Sequence, residues 1–163
     1  VEPQSETVWN QADKYRVPRI AFVNKMDRTG ADFNEVVGQM NKYLGANAMP
    51  IHLPIGAEGE FQGMVDIVAM QAVTFTDKER IVGEIPAELR GAAEEARRAM
   101  IEKLADVDDG IAELYLDDAE IGTDLLKKAI REATIKLMVN FTINLGVTIF
   151  QWFEEFINSF HVV

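Results

Sequence analysis

Four consecutive residues, Asn24-Lys25-Met26-Asp27, carry side chains that together can read the edge of a purine. Guanine presents two adjacent donors, its ring N1–H and its exocyclic amino group. One ionised carboxylate accepts both at once, which gives Asp27 a defined task. Adenine lacks that donor pair. Asn24 offers its amide to an acceptor on the base or to a neighbouring loop, and the alkyl stem of Lys25 can lie over the base face with its ammonium in water. Met26 reads as a spacer that turns inward. The wrong base leaves the carboxylate without its donors, at a cost of about 1–3 kcal/mol. The same four residues also suit a plain polar turn after a strand, so the tetrad needs a context before it carries meaning.

The elements around it supply one. Ser5 is placed to cap a helix in which Val8, Trp9, Ala12 and Tyr15 recur at helical spacing, and Pro18 ends it. Ile20-Ala21-Phe22-Val23 is short, continuously apolar and bounded by polar residues, as in a strand buried on both faces of a parallel sheet. The tetrad then falls at the carboxyl end of that strand, where open α/β sheets bind their ligands. A second helix starts from an Asp32 cap, with Glu35 placed to complete a capping box. Val36, Val37, Met40, Tyr43 and Leu44 form its apolar side and Gly45 lies past its end.

Beyond Gly45 the pattern changes. Met49 to Ile55, Gly63 to Val68 and Ala72 to Thr76 read as short strands of a small antiparallel unit. Pro86 opens a long helix striped by Leu89, Ala92, Ala93, Ala96, Met100, Leu104 and Val107, which Asp108-Asp109-Gly110 ends or bends. Two shorter helices follow, Ile111 to Leu116 and one from a Thr123 cap to Ala133. From Leu137 to Ile149 apolar residues alternate with a period of two, the pattern of a long strand. Phe150, Phe153, Phe156, Ile157 and Phe160 then repeat at helical spacing, an aromatic stripe that reads as core.

With 163 residues and 48% hydrophobic content the chain can bury a real core, and a net charge of −11 disfavours autonomous nucleic-acid binding. The absence of cysteine excludes disulfides, thiolate catalysis and cysteine-based zinc sites. His52 reads as a packed strand residue. Asn140, Thr142, Asn144, Gln151, Glu154 and Glu155 interrupt the apolar tail within a bilayer's thickness, so a membrane span is not expected. Val1-Glu2-Pro3-Gln4-Ser5 has no signal-peptide pattern, and the chain is read as an internal piece of something longer.

Three longer stretches carry a resemblance. Gln4 to Trp9 with Val17 to Phe33, then Pro54 to Glu58 with Phe61, Gly63 and Val65-Asp66, and then Glu84 to Arg90, Ala93 to Glu95 and Ala129 to Ile135 closely resemble the elongation factor G family of translational GTPases. The likeness extends to about Lys136. It implies an α/β architecture, a partial P-loop GTPase (doubly wound) fold with an inserted α+β subdomain. Residues 1–45 would be the C-terminal part of the GTPase core, 46–136 the inserted subdomain and 137–163 a divergent tail. By the same resemblance Asn24, Lys25 and Asp27 bind the guanine base of GTP or GDP, the parent acts on the ribosome in the cytoplasm, and residues 86–116 contact the ribosomal stalk protein. A ribosomal protection protein or a release-factor GTPase is a rival within the same superfamily, and a non-enzymatic protein-interaction module is the alternative function.

No catalytic residue and no metal ligand is assigned. The glycine-rich phosphate cradle with its lysine, the Ser or Thr on Mg²⁺ and the residue that orients water have no counterpart between Val1 and Val163, so the chain alone is not expected to hydrolyse GTP. In the family these parts lie upstream. The Ser-Ala loop that touches the base in the family is replaced by Val139 to Asn144. Without its flanking strands, Ile20–Val23 would lack backbone partners, although the alternating tail is able to stand in for one.

Overall fold

The computed structural model of the chain describes residues 3–76, 79–136 and 140–144. The first helix, α1 (Pro3–Lys14), starts ahead of the expected Ser5 cap, because proline's fixed φ and missing N–H suit a first helical position. Ser5 lies inside the helix. Only Trp9 of the expected stripe is buried; Val8 and Tyr15 are 65% and 71% exposed. The Arg19 guanidinium holds this helix to the following strand. It lies 4.1 Å from the Trp9 ring centroid, donates to the Trp9 carbonyl at 3.0 Å and pairs with Asp13.

Alternation along β1 (Ile20–Val23) gives its two faces different cores. Ile20 and Phe22 pack on the largest apolar cluster of the molecule, while Ala21 and Val23 join two smaller clusters shared with α1 and α2 (Phe33–Leu44). The strand is not left without partners. It pairs in parallel with β7 (Asn140–Asn144), Ile20 opposite Phe141 and Val23 opposite Asn144, and β7 lies between β1 and β2 (Ala48–Pro50). The rest of the expected tail strand and the aromatic stripe from Phe150 to Phe160 lie outside the described residues.

The expected strand Met49 to Ile55 is two. The chain bends at Ile51, sending β2 to the parallel sheet and β3 (His52–Ile55) to a separate antiparallel sheet of order β3-β4-β5-β6. Pro50 closes β2, where the missing N–H costs no ladder bond. Strands β4 (Gly63–Asp66) and β5 (Gln71–Phe75) lie at the centre of that sheet. The edge strand β6 (Arg80–Gly83) is absent from the sequence reading because all four of its residues are exposed, leaving no alternation to detect.

The turn after β4 is held from both sides. The Asp66 carboxylate accepts from the N–H groups of Val68 and Ala69 at 2.9 and 3.0 Å, and the Arg97 guanidinium donates to the carbonyls of Ile67, Val68 and Ile121 at 2.8, 2.6 and 3.1 Å. Arg97 belongs to α3 (Ala87–Ala105), which buries Ala93, Met100 and Leu104 against the sheet while Ala92 faces solvent, contrary to the expected stripe. Asp108 caps α4 (Asp109–Leu116) through the Ile111 N–H at 3.0 Å, so that helix starts earlier than expected. Gly122, not Thr123, stands at the cap of α5 (Thr123–Ile135).

His52 is fully buried in β3, opposite Asp66 of β4. Burial lowers its imidazole from the ordinary 6.5 to about 4, with the Asp66 charge opposing part of that shift. The unfolded chain therefore takes up this proton near pH 6.5, whereas the folded chain refuses it until about pH 4. The stability held by neutral His52 is full above pH 6.5 and is lost as the pH falls toward 4, amounting to about 3 kcal/mol. Urea unfolding followed by far-UV circular dichroism at pH 7 and pH 4.5 is expected to show this loss in the wild type, and His52→Leu is expected to lack most of it.

Candidate functional site

The loop between β1 and α2 contains the whole tetrad. Asn24 and Lys25 emerge exposed from the carboxyl end of β1, Met26 turns inward at 2% exposure, and Asp27 returns to solvent. Met26 packs with Val23 and Phe33, and the half-buried Phe61 covers the same cluster. One inward side chain thereby fixes which way its neighbours face. The Asn24 Oδ1 accepts from the Lys25 N–H at 2.8 Å, and Lys25 adopts a left-handed backbone with φ 63°, a conformation that costs a non-glycine residue about 1 kcal/mol or more. Asn24 thus spends its amide oxygen within the loop and keeps its NH₂ donors for another partner.

The loop then turns twice, through Arg28 N–H to Lys25 carbonyl at 3.2 Å and Ala31 N–H to Arg28 carbonyl at 3.1 Å. It ends in the Asp32 cap, whose carboxylate accepts from the Glu35 N–H at 2.9 Å. The expected capping box is half made, because the Glu35 carboxylate accepts from the Gln39 side chain at 3.1 Å along the helix. Gly45 closes α2 in the left-handed conformation, with its N–H on the Met40 carbonyl.

Asn24 and Lys25 line a cleft of about 380 Å³ together with Asp32, Glu35 and Gln39 of the α2 side. Asp27 does not line it. Its carboxylate is exposed and has no hydrogen bond or ion pair among the described residues. The structure therefore brings Asn24 and Lys25 to one cleft and leaves Asp27 on the open side of the same loop. Such an unengaged carboxylate fits the two adjacent donors of guanine. Among the described residues there is no cluster of three or more His, Cys, Asp or Glu side chains able to hold a metal ion.

One contributor to this loop is missed by motif reading. Glu58 donates its N–H to the Met26 carbonyl at 3.1 Å and accepts from the Gly30 N–H at 2.8 Å through its carboxylate. It lies 28 residues from Gly30 in the chain, in a short 3-10 turn, Glu58–Glu60, between β3 and β4. Its only sequence signal is its place in the Pro54 to Glu58 stretch of the family resemblance.

Residues 1–130 match the family of the elongation factor Tu GTP binding domain. The chain is 51% identical over 138 residues to the elongation factor G of Fervidobacterium nodosum, an overlap covering 83% of this chain and 20% of that protein. A crystal structure of a protein from Thermus thermophilus superposes with a TM-score of 0.84 at 25% identity, covering 98% of this chain and 24% of that one. The chain spans about a fifth of the length of the relative it matches. The fold is α/β, part of a P-loop GTPase fold with an open sheet and mixed helices and strands.

Proposed function

The chain belongs to the elongation factor Tu GTP-binding domain family, and from that membership we propose that it is the guanine-recognising portion of an elongation factor G, a cytoplasmic GTPase that promotes ribosomal translocation. The observation that carries this reading is the loop itself, in which buried Met26 holds Asn24, Lys25 and Asp27 at the carboxyl end of a parallel strand. Asp27 accepts the two donors of guanine, Lys25 covers the base with its alkyl stem, and Asn24 gives its remaining amide donors to the base edge or an adjoining loop. Hydrolysis needs a phosphate cradle, a magnesium ligand and a residue to orient water, and the sequence contains none of their motifs. The domain organisation proposed for this role is a GTPase-core portion in residues 1–45, an inserted subdomain in 46–136 and a divergent tail in 137–163.

Isothermal titration of the chain with GDP, IDP and ADP tests this. Weak binding of GDP is expected, with IDP, which lacks the exocyclic amino group, and ADP each reduced roughly tenfold or more, and Asp27→Ala should remove the preference. No GTP turnover is expected. Turnover that survives Asp27→Ala contradicts the reading.

A second reading rests on the outer helices. The Tyr115 hydroxyl donates to Glu102 at 2.6 Å, tying α4 to α3, and Leu116 at the end of α4 is 82% exposed beside a groove of about 890 Å³. We propose that residues 86–116 also form a protein-interaction surface for the ribosomal stalk protein. Titration of the labelled chain with isolated stalk protein should shift amide resonances between Pro86 and Leu116, and unshifted resonances there would remove this reading.

A further inference from the structure

We propose that Glu58 is the positioning residue of the tetrad loop, bracketing it from the antiparallel sheet and so setting the geometry on which base recognition rests. The inference builds on the guanine reading and names the residue behind the loop, one that makes no hydrogen bond to Asn24, Lys25 or Asp27.

Beyond the inward Met26 the loop is closed on itself by the turn bonds of Arg28 and Ala31, which leave it free to move as a unit relative to the antiparallel sheet. Glu58 closes that freedom with two bonds from a single residue. Its N–H satisfies the Met26 carbonyl at 3.1 Å, and its carboxylate takes the Gly30 N–H at 2.8 Å. The second bond has an ionised acceptor and is stronger than a neutral one of the same length.

The turn presenting Glu58 is itself rigidly held. The Gln62 N–H donates to the Ile55 carbonyl at 2.9 Å and the Phe61 N–H to the Glu58 carbonyl at 3.1 Å, which anchors the turn to the ends of β3 and β4. Phe61 packs on the Val23, Met26 and Phe33 cluster beneath the loop. Two residues of the turn have left-handed backbones, Gly56 at φ 77° and Glu58 at φ 53°, and a Cβ at Gly56 would lie 2.0 Å from the Glu60 carbonyl oxygen. Gly56 adopts its conformation freely, as only a glycine can, whereas the left-handed backbone of Glu58 costs a non-glycine residue energy that its two bonds to the loop help to offset. Nothing in β3 or β4 requires an acidic side chain at this position. The Gly30 N–H gains from one, because an exposed bond competes with water and an ionised oxygen holds it more strongly than a neutral acceptor.

The test uses the chain with Glu58→Ala and Glu58→Gln, read by Gly30 amide exchange, by GDP and ADP affinity, and by amide protection in β3 to β5 as a control on folding. Glu58→Ala is expected to speed Gly30 exchange by about tenfold and to weaken GDP binding by roughly fivefold to tenfold, with β3 to β5 unchanged. Glu58→Gln keeps a neutral acceptor and should fall between wild type and alanine in both readouts, which a merely structural role for the turn would not produce. Should Glu58→Ala fail to fold, the glutamine variant decides alone, through faster Gly30 exchange in an intact sheet. Wild-type Gly30 exchange in both folded variants overturns the proposal. A wild-type chain without preference for GDP over ADP overturns the guanine reading instead, and Gly30 exchange still decides whether Glu58 positions the loop.

Discussion

The hydrogen bond from the Glu58 N–H to the Met26 carbonyl joins two sheets that share no strand. A strand that ends in a recognition loop has a difficulty: the backbone groups past its last ladder bond must be satisfied without being covered, since the loop has to stay open to its ligand. Here the buried Met26 supplies an apolar anchor and its carbonyl finds a partner from the antiparallel sheet. The flanking Asn24, Lys25 and Asp27 remain exposed. Chemistry at the surface is thus held from below and from the side.

The two sheets can act on one loop because one core serves both. Ile20 and Phe22 of β1 pack on the same cluster as Met64, Val65 and Val73 of the antiparallel sheet and Met100 and Leu104 of α3. Lys103 of α3 also donates to the Ala48 carbonyl of β2 at 3.2 Å, and its partial burial lowers its pKa. Displacing α3 would therefore disturb both sheets. Arg97 and Asp66 share the turn after β4 in the same spirit, one taking the Ile67 and Val68 carbonyls and the other the Val68 and Ala69 N–H groups, so that these backbone groups are paired within the protein.

How much of this was legible in the sequence depended on how local each cause was. The second helix was readable at both ends because Asp32 and Gly45 act on neighbouring backbone, and β1 was readable because four apolar residues between polar ones fit little else. The break at Ile51 was not readable, since an apolar run carries no mark of which sheet each half joins. Ala92 was misplaced because a helix rich in alanine has a weak stripe, and β6 was missed because an edge strand exposing Ile81 and Val82 has no buried face to reveal it. At the site, residue types gave the base chemistry, yet not that Asn24 bonds the Lys25 N–H or that Asp27 lies outside the cleft its neighbours line. The contact of Glu58 with Gly30 was out of reach of any spacing rule, being a product of how two sheets meet.

The loop after β1 is held by the turn after β3. The most direct measurement is the scalar coupling across the hydrogen bond between the Glu58 amide nitrogen and the Met26 carbonyl carbon in the labelled chain. A detectable coupling is expected, with a Glu58 amide that exchanges far more slowly than in an unstructured peptide. No coupling, with Glu58 exchanging at the unstructured rate, would contradict it.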